Sequence, residues 1–220
     1  MEGGILAMGA LQGAVRATGE MASWLLLATL WPVLHVVSLI RPAPFPPWLT
    51  PILEGPLRRR LQNPEQCVEQ SGLAPGLIAL EVGPGAGYAT GAALRKLGRS
   101  GRLVCVDLQL DMLRQVRTRL GTDAPLLVCA SGSQLPLRDA VFDVTFLVGV
   151  LGEIPDKEAA LREYRRTLRP GGTLAVTEGL PDPDYIRASL LRRMAVRCGF
   201  EVCDRFSSFP SYTQRFRRPV

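Results

Sequence analysis

A glycine-rich turn between an apolar run and a helix-compatible segment carries the clearest chemical signal in the chain. Residues 77–80 are apolar, Glu81 ends the run, and Gly83, Gly85 and Gly87 follow at alternate positions. This order predicts a buried strand, a tight turn and a helix start, with glycine where a Cβ would block positive φ or a ligand's close approach. Such a turn binds dinucleotides, phosphates or nucleosides, or only packs a helix on a sheet. The G-x-G-x-G spacing differs from the G-x-G-x-x-G of pyrophosphate binders.

A second acidic residue narrows the ligand class. Asp107 ends the next apolar run, 20 residues after Gly87. A carboxylate at the end of a second strand accepts both hydroxyls of a ribose, although an aspartate at such a point also caps a following helix. With Glu81 beside the turn and no phosphate-like spacing, the pattern favours a nucleoside that carries an amino acid.

Four motifs in order resemble the class I S-adenosylmethionine (SAM) methyltransferases, and the resemblance covers the chain from about residue 51 to its C-terminus. The motifs are Leu80–Gly87, Val104–Asp107, Phe142–Val148 and Leu168–Leu174. Within this family the closest resemblance is to the small-molecule branch, which includes the quinone-biosynthesis methyltransferases. The pattern of that branch is matched by Leu135-Pro136, Phe142-Asp143 and Arg166–Gly172.

This resemblance implies SAM as the cofactor and a set of cofactor-binding positions. By the resemblance, the three glycines pass under the methionine and ribose parts of SAM, and Asp107 takes the ribose hydroxyls. Leu108 would lie against the adenine, and Glu81 near the amino group through the loop or water. The implied cofactor-binding residues are Glu81, Gly83, Gly85, Gly87, Tyr88, Asp107, Leu108, Ser131, Gly132 and Val148.

The chain departs from the family pattern at two positions. Many members carry an acidic residue after the third strand, where this chain has Ser131, an acceptor without charge. Relatives often carry histidine after the fourth strand, where this chain has Gly152; its only histidine, His35, lies in the N-terminal apolar segment. Glu153 and Glu178 are therefore the candidate catalytic bases, because both follow strands at the expected active edge. Glu153 alternatively serves as a helix cap or in a salt bridge.

Short apolar segments alternate with helical patterns, which predicts an α/β fold. We expect a doubly wound, mostly parallel seven-stranded sheet of the Rossmann-like methyltransferase kind, with an N-terminal membrane helix. Strands are expected at 77–82, 103–107, 126–130, 144–150 and 174–177, with closing runs at 200–206 and 212–217. Helices are expected at 53–70 with a break near Pro64, and at 88–97, 110–120, 157–168 and 185–198. The expected divisions are an anchor segment at 1–41, a Pro-rich linker at 42–52 and a methyltransferase domain at 53–220.

The segment Met21–Ile40 has no formally charged side chain. As a helix it is long enough to cross a bilayer core of about 30 Å. A cleaved signal peptide is disfavoured, because the apolar run is long and proline-rich sequence follows it. A buried core helix is the alternative. We expect a membrane anchor, either spanning or monotopic. The arginines that follow, Arg41 and Arg58–Arg60, favour a membrane-associated protein with its catalytic domain facing the cytoplasm.

Basic residues concentrate near the C-terminus. The formal net charge is +6, and residues 185–220 contain eight arginines against Glu201 and Asp204. This segment either attracts anionic lipid or forms a solvated helix face. Nucleic-acid binding is disfavoured, because no second recognition domain accompanies the charge. The five cysteines lack metal-ligand spacing, so no metal site is predicted, and Cys105 and Cys129 are expected to be buried in strands.

The leading functional hypothesis is a membrane-anchored methyltransferase for a small lipophilic acceptor, such as a quinone precursor, a phospholipid headgroup or a hydrophobic thiol. The alternative is a non-catalytic SAM-binding or degenerate scaffold protein, which Ser131 and Gly152 suggest. Methylation of nucleic-acid bases or protein amides is disfavoured, because Val148–Leu151 replaces the motif that such enzymes carry after the fourth strand. The pattern indicates no particular acceptor atom or oligomeric state.

Overall fold

The structure is a computed structural model that describes residues 55–180 and 182–220. The segment 21–40 and the linker 42–52, for which the sequence predicts an anchor and a spacer, lie outside these residues. Within the two described ranges, no helix combines the length and the apolar character needed to cross a membrane.

In the part of the chain that the structure describes, seven strands form one central sheet. They are β1 (Ile78–Val82), β2 (Arg102–Asp107), β3 (Leu126–Cys129), β4 (Phe142–Val148), β5 (Leu168–Gly179), β6 (Glu201–Ser208) and β7 (Ser211–Arg217). Their order across the sheet is β3-β2-β1-β4-β5-β7-β6. Strands β1 to β5 are parallel, and β7 pairs antiparallel with both β5 and β6. The predicted mostly parallel sheet and its closing antiparallel pair are thus confirmed.

Six helices connect the strands or precede them in the described residues. They are α1 (Pro56–Leu61), α2 (Pro64–Gln70), α3 (Thr90–Leu97), α4 (Leu110–Leu120), α5 (Lys157–Thr167) and α6 (Ala188–Arg197). Proline opens both α1 and α2, and the Asn63 side chain caps α2. Proline is favoured there because the first N–H groups of a helix have no intrahelical partner. The break that the sequence predicts near Pro64 therefore separates two short helices.

Apolar side chains alternate along the strands and fill two cores, one on each face of the sheet. Leu80 and Val82 of β1 join the core that packs under α5 and α6. Ala79 joins the other core, with Leu97 of α3. Because strand side chains alternate, Glu81 points to the same face as Ala79. The acid of the first motif is therefore placed under helix α3.

Several motif residues hold the sheet together away from the glycine turn. Asp143 accepts hydrogen bonds from the Ile78 N–H at 2.8 Å and from Arg169 Nη1 at 2.6 Å. Arg166 donates to backbone carbonyls of the 135–137 loop at 2.8 and 3.0 Å. Hydrogen bonds to charged groups each stabilise a fold by about 1.5–3 kcal/mol. These residues of the small-molecule-branch pattern therefore have structural partners.

Candidate cofactor and active site

The candidate site lies where the parallel strands end. Strands β1 and β2 are in register, with Val82 beside Val106, so Gly83 and Asp107 leave the sheet at the same edge. The Gly83 N–H donates to the Val106 carbonyl at 2.8 Å, which fixes the start of the turn. Ligands of open α/β sheets bind beyond this carboxyl edge.

Gly83 and Gly85 both have a backbone conformation that favours glycine, but the space around them differs. Their φ angles are +67° and +55°, a region that side chains disfavour. A Cβ on Gly83 would lie 2.5 Å from Val150 Cγ1, so the loop after β4 excludes one. A Cβ on Gly85 would meet no heavy atom within 4 Å. The space over Gly85 is thus open, which is where a ligand can approach the backbone.

Glu81 lies beneath the turn and is only 3% exposed. Its Oε2 accepts hydrogen bonds from Thr90 Oγ1 at 2.7 Å and from Cys105 Sγ at 3.3 Å. Burial raises the pKa of Glu81 to about 7, against the opposing effect of these two donors. Glu81 thus changes charge near neutral pH, in contact with the first residue of α3.

Replacing Glu81 by glutamine is expected to remove a pH dependence of stability. An unfolded glutamate titrates near 4.5 and the folded one near 7, so the native state binds more protons in between. Wild-type stability should therefore fall as pH rises from about 4.5 to about 7, by about 3 kcal/mol in total. Denaturant unfolding across this range measures the effect, with exposed Glu201→Gln as the control. A constant difference between wild type and Glu81→Gln across the range would contradict it.

Asp107 faces the turn from the end of β2. Its Oδ2 accepts from the Gly85 N–H at 3.3 Å and its Oδ1 from the Gln109 N–H at 2.8 Å. Burial raises its pKa, while these N–H donors favour the charged form. The N-cap of α4 is Gln109, so Asp107 does not occupy that capping position. Leu108, the residue expected against adenine, is 58% exposed at the same edge.

Helix α1 covers one side of the turn. Tyr88 Oη donates to the Gln62 carbonyl at 2.6 Å, just beyond the end of α1. The Arg58 guanidinium lies 4.4 Å from the centre of the Tyr88 ring, a distance that suits a cation–π contact. Tyr88 therefore joins the turn to α1, and Arg58 is a site-edge residue that the motif pattern does not reveal.

The loop after β3 supplies fewer polar contacts than the family pattern implies. Ser131 Oγ lies 3.0 Å from Ser133 Oγ and accepts from the Ser133 N–H at 3.3 Å, so its hydrogen bonds are local. A Cβ on Gly132 would lie 3.0 Å from Tyr164 Oη, so close packing accounts for this glycine. Val148 ends β4, half-buried against the core under α3.

A second group of carboxylates lies at the ends of β4 and β5. Glu178 is 1% exposed, and its Oε2 accepts from the Ile186 N–H at 3.3 Å. Its Oε1 is buried and has no hydrogen-bond partner within the described residues. Burial raises the pKa of Glu178 well above its ordinary value, and the negative charges of Asp182, Glu153 and Asp184 raise it further. The surroundings of Glu178 therefore favour its protonated, neutral form.

The glycine that replaces the family's histidine is enforced by packing. A Cβ on Gly152 would lie 2.0 Å from the carbonyl oxygen of Asp184. The backbone after β5 thus occupies the position that a side chain would need. The 182–184 loop packs against Gly152 and brings Asp182 and Asp184 close to Glu178.

One expectation about the cysteines is wrong. Cys105 is buried as expected, but Cys129 is exposed. Strand β3 is the edge of the sheet and Cys129 is its last residue, so a strand position there does not imply burial. Its Sγ lies 3.6 Å from the Leu108 carbonyl, next to the candidate adenine region.

A family model described as "Methyltransferase domain" matches residues 80–176. The match begins in β1 and ends in β5, so it contains the glycine turn, Asp107 and Ser131. Residues 80–176 are therefore similar to a methyltransferase domain. SAM is the cofactor that this domain and its relatives imply.

Curated relatives of the domain carry a more specific name. A "Ubiquinone/menaquinone biosynthesis C-methyltransferase UbiE" of Hahella chejuensis is 36% identical over 115 residues, which are 50% of this chain and 46% of the relative. The protein of that name from Shewanella sp. (strain ANA-3) is 35% identical over 116 residues, again 50% and 46%. The matching segment thus spans about half the length of the curated relatives.

Solved structures share the fold of the methyltransferase domain. A SAM-dependent methyltransferase from Aquifex aeolicus has a TM-score of 0.72 and 22% identity, over 79% of this chain and 99% of that one. The [4+2]-cyclase SpnF has a TM-score of 0.62 and 19% identity, over 71% and 80%. A protein named for a different reaction shares this fold, so the fold alone does not define the chemistry.

The residues at the carboxyl edge fit SAM. The open space over Gly85 accommodates close approach, and Asp107 offers two carboxylate oxygens next to it. Leu108 supplies an exposed apolar side chain beside these oxygens. Together they match a ligand with a polar ribose and a flat apolar base.

Proposed function

We propose that the chain transfers a methyl group from SAM to a small lipophilic acceptor of the quinone type. The observation that carries the proposal is the open backbone at Gly85 beside Asp107, at the carboxyl edge of the methyltransferase domain. The names of the curated relatives support a ubiquinone- or menaquinone-like acceptor and a carbon as the methylated atom.

Each proposed cofactor-binding residue is assigned a role in holding SAM. Asp107 binds the ribose hydroxyls, Leu108 contacts the adenine, and Gly83 and Gly85 let the backbone approach. Tyr88 closes the side under α1. Glu81, Gly87, Ser131, Gly132 and Val148 complete the proposed set, mostly by shaping the loops. When bound, SAM supplies an electrophilic methyl group.

The acceptor is proposed to lie near the carboxylates after β4 and β5. Positioning the nucleophile about 3 Å from the methyl group supplies much of the rate of an in-line displacement. Glu153, which is half-buried, is the candidate for removing a proton from the acceptor. Because its surroundings favour the protonated form, Glu178 is proposed to donate a hydrogen bond to an acceptor oxygen through its buried carboxyl end, where Oε1 has no partner within the described residues.

Replacing Glu178 by glutamine is expected to keep most of the activity at pH 7. Glutamine is close in shape to a protonated carboxyl group and keeps the ability to donate a hydrogen bond, so kcat should fall by less than about tenfold. Glu178→Leu, which removes the polar group, should raise KM for the acceptor more than it lowers kcat. Steady-state kinetics with a short-chain quinol measure both. A loss of several orders of magnitude in Glu178→Gln would instead identify Glu178 as the base.

Residues 21–40 are proposed to anchor the protein on a membrane, with the methyltransferase domain facing the cytoplasm. The uncharged apolar composition of this segment and the arginines that follow it support the proposal. Fractionation of cells that express the full chain tests it. Full-length protein in the membrane fraction, released by detergent and not by high salt, is the expected result. Recovery in the cytosol without detergent would overturn it.

The non-catalytic alternative requires a separate assay. It is favoured by the uncharged Ser131 and by Gly152, the two positions at which the chain departs from the family pattern. Calorimetric titration with SAM, followed by mass spectrometry of a lipid extract incubated with isotopically labelled SAM, distinguishes the two. A labelled lipid product supports the enzyme. SAM binding without any labelled product supports the scaffold.

A further inference from the structure

The tip of the β6–β7 hairpin lies at the active edge of the sheet. Strand β7 runs antiparallel to β5, and Ser211 pairs with Gly179 at the end of β5. The Leu180 N–H donates to the Pro210 carbonyl at 3.1 Å. Ser211 Oγ donates to the Leu61 carbonyl, the last residue of α1, at 3.5 Å. The hairpin tip, the start of the loop after β5 and helix α1 therefore form one continuous rim beside the candidate acceptor side.

This rim exposes apolar side chains. Phe209 is 92% exposed, more than any other aromatic side chain in residues 55–180 and 182–220. Leu180, which is bonded to the same tip, is 37% exposed. Aromatic and aliphatic side chains at the edge of a surface are typical of segments that enter the headgroup region of a bilayer. The tip thus exposes an apolar surface that is not part of the core.

The same rim is basic. Its exposed cations include Arg59 and Arg60 of α1. Arg205 lies 5.2 Å from the centre of the Tyr212 ring, next to the hairpin tip, and Arg187 follows Ile186, whose carbonyl accepts from Tyr212 Oη. The carboxylates Asp182 and Glu178 at this edge are less exposed than these arginines, since Asp182 is half-buried and Glu178 is buried. Asp182 also accepts from the Asp184 N–H at 2.9 Å. Exposed apolar tips surrounded by arginines complement an anionic bilayer surface, where each nearby cation strengthens binding.

We propose that this docking rim, made of Phe209-Pro210, Leu180 and the exposed arginines Arg59, Arg60, Arg187 and Arg205, binds the surface of an anionic lipid bilayer. The proposal rests on the proposed function, because docking through this rim would turn the acceptor side of the site towards the bilayer, in which a lipophilic acceptor dissolves. It is independent of residues 21–40, since every contact comes from the folded domain. The acceptor then enters between α1 and the loop after β5 without crossing bulk water.

Hydrogen–deuterium exchange of the full chain locates the docking surface whether or not residues 21–40 also bind lipid. Vesicles containing phosphatidylglycerol should slow exchange at residues 56–62 and 207–212, and phosphatidylcholine vesicles should do so much less. Strand β3, at the far edge of the sheet, is the internal reference, because Leu126 is 63% exposed there. Unchanged exchange at the rim, or protection by an RNA oligonucleotide in place of vesicles, would overturn the proposal.

Two pairs of matched variants test the apolar and basic parts separately. For the apolar part, Phe209→Ser is compared with the control Leu126→Ser. For the basic part, the double variant Arg59→Gln/Arg60→Gln is compared with the control double variant Arg192→Gln/Arg193→Gln on α6. The rim variants should need on the order of tenfold more anionic lipid for the same protection. The controls should match wild type. Equal behaviour of rim and control variants would contradict the assignment.

Kinetics separate this proposal from the proposed function. Phe209→Ser should bind SAM like wild type and methylate a water-soluble short-chain quinol normally, but methylate a vesicle-embedded quinol more slowly. A wild-type chain that docks on vesicles yet methylates neither quinol overturns the proposed function and leaves the docking surface standing. Equal rates of wild type and Phe209→Ser on the embedded quinol overturn the docking surface alone.

Discussion

Replacing Gly85 by alanine is expected to weaken SAM binding by about tenfold or more while the domain stays folded. Alanine at φ +55° is strained, by about 1–3 kcal/mol, but its methyl group meets no protein atom within 4 Å. The methyl group would instead stand in the open space that we assign to the cofactor. Overlap with a closely packed ligand costs about 1–3 kcal/mol in addition, so affinity should fall by about tenfold or more. Calorimetric titration with SAM measures the loss.

Gly171 provides the matched control for this substitution. Its φ is +78°, and a Cβ there also meets nothing within 4 Å. It lies near the start of β5, at the other end of the strand from the candidate site. Gly171→Ala and Gly85→Ala should therefore both lose stability in thermal unfolding, and only Gly85→Ala should lose affinity. Equal SAM affinities in the two variants would mean that the space over Gly85 is not the cofactor site.

Replacing Asp107 by alanine is expected to weaken SAM binding by about 1–3 kcal/mol, or about five- to 150-fold. The substitution removes the carboxylate that we assign to the ribose hydroxyls. It also removes the acceptor of the Gly85 and Gln109 N–H groups, so part of the loss comes from a less ordered turn. Asp107→Asn keeps one acceptor oxygen and should lie between wild type and Asp107→Ala in affinity.

Asp111→Ala is the control for the loss of a nearby aspartate. Asp111 is exposed in the first turn of α4 and pairs with Arg114 at 2.9 Å. Its replacement should change helix stability slightly and leave SAM affinity unaltered. A second comparison uses 2′,3′-dideoxy-ribose analogues of the cofactor, for which Asp107→Ala should cost clearly less affinity than it costs for SAM. Equal loss with the natural and dideoxy ligands would place Asp107 outside the ribose contact.

Local patterns predict much of this fold because each element carries its own signal. Helix α4 was expected at 110–120 and occupies those residues, since its apolar positions and flanking residues define both ends. Helix α3 begins at Thr90, two residues later than expected, because the glycine turn continues through Tyr88. Strand β5 begins at Leu168, earlier than expected, since Leu168 pairs with Phe142 before an irregularity in the ladder.

Contacts between segments that are distant in the sequence cannot be predicted from such local patterns. The cation–π contact of Arg58 with Tyr88 joins α1 to the turn, 30 residues apart in the sequence. The packing of Gly152 on the Asp184 backbone depends on the course of a loop. Cys129 is exposed because β3 forms the edge, which only the strand order reveals. The site-residue set itself therefore stays a prediction, although the structure brings its main members to one edge.

A structure of the full chain crystallised with S-adenosylhomocysteine, the product form of the cofactor, tests the central claim most directly. We expect electron density over Gly83 and Gly85, with the ribose hydroxyls within hydrogen-bond distance of Asp107 and the adenine against Leu108. We also expect the thioether sulfur to face the carboxylates after β4 and β5. Ligand density at another place on the domain, or an adenosine moiety that makes no contact with Asp107, would contradict it.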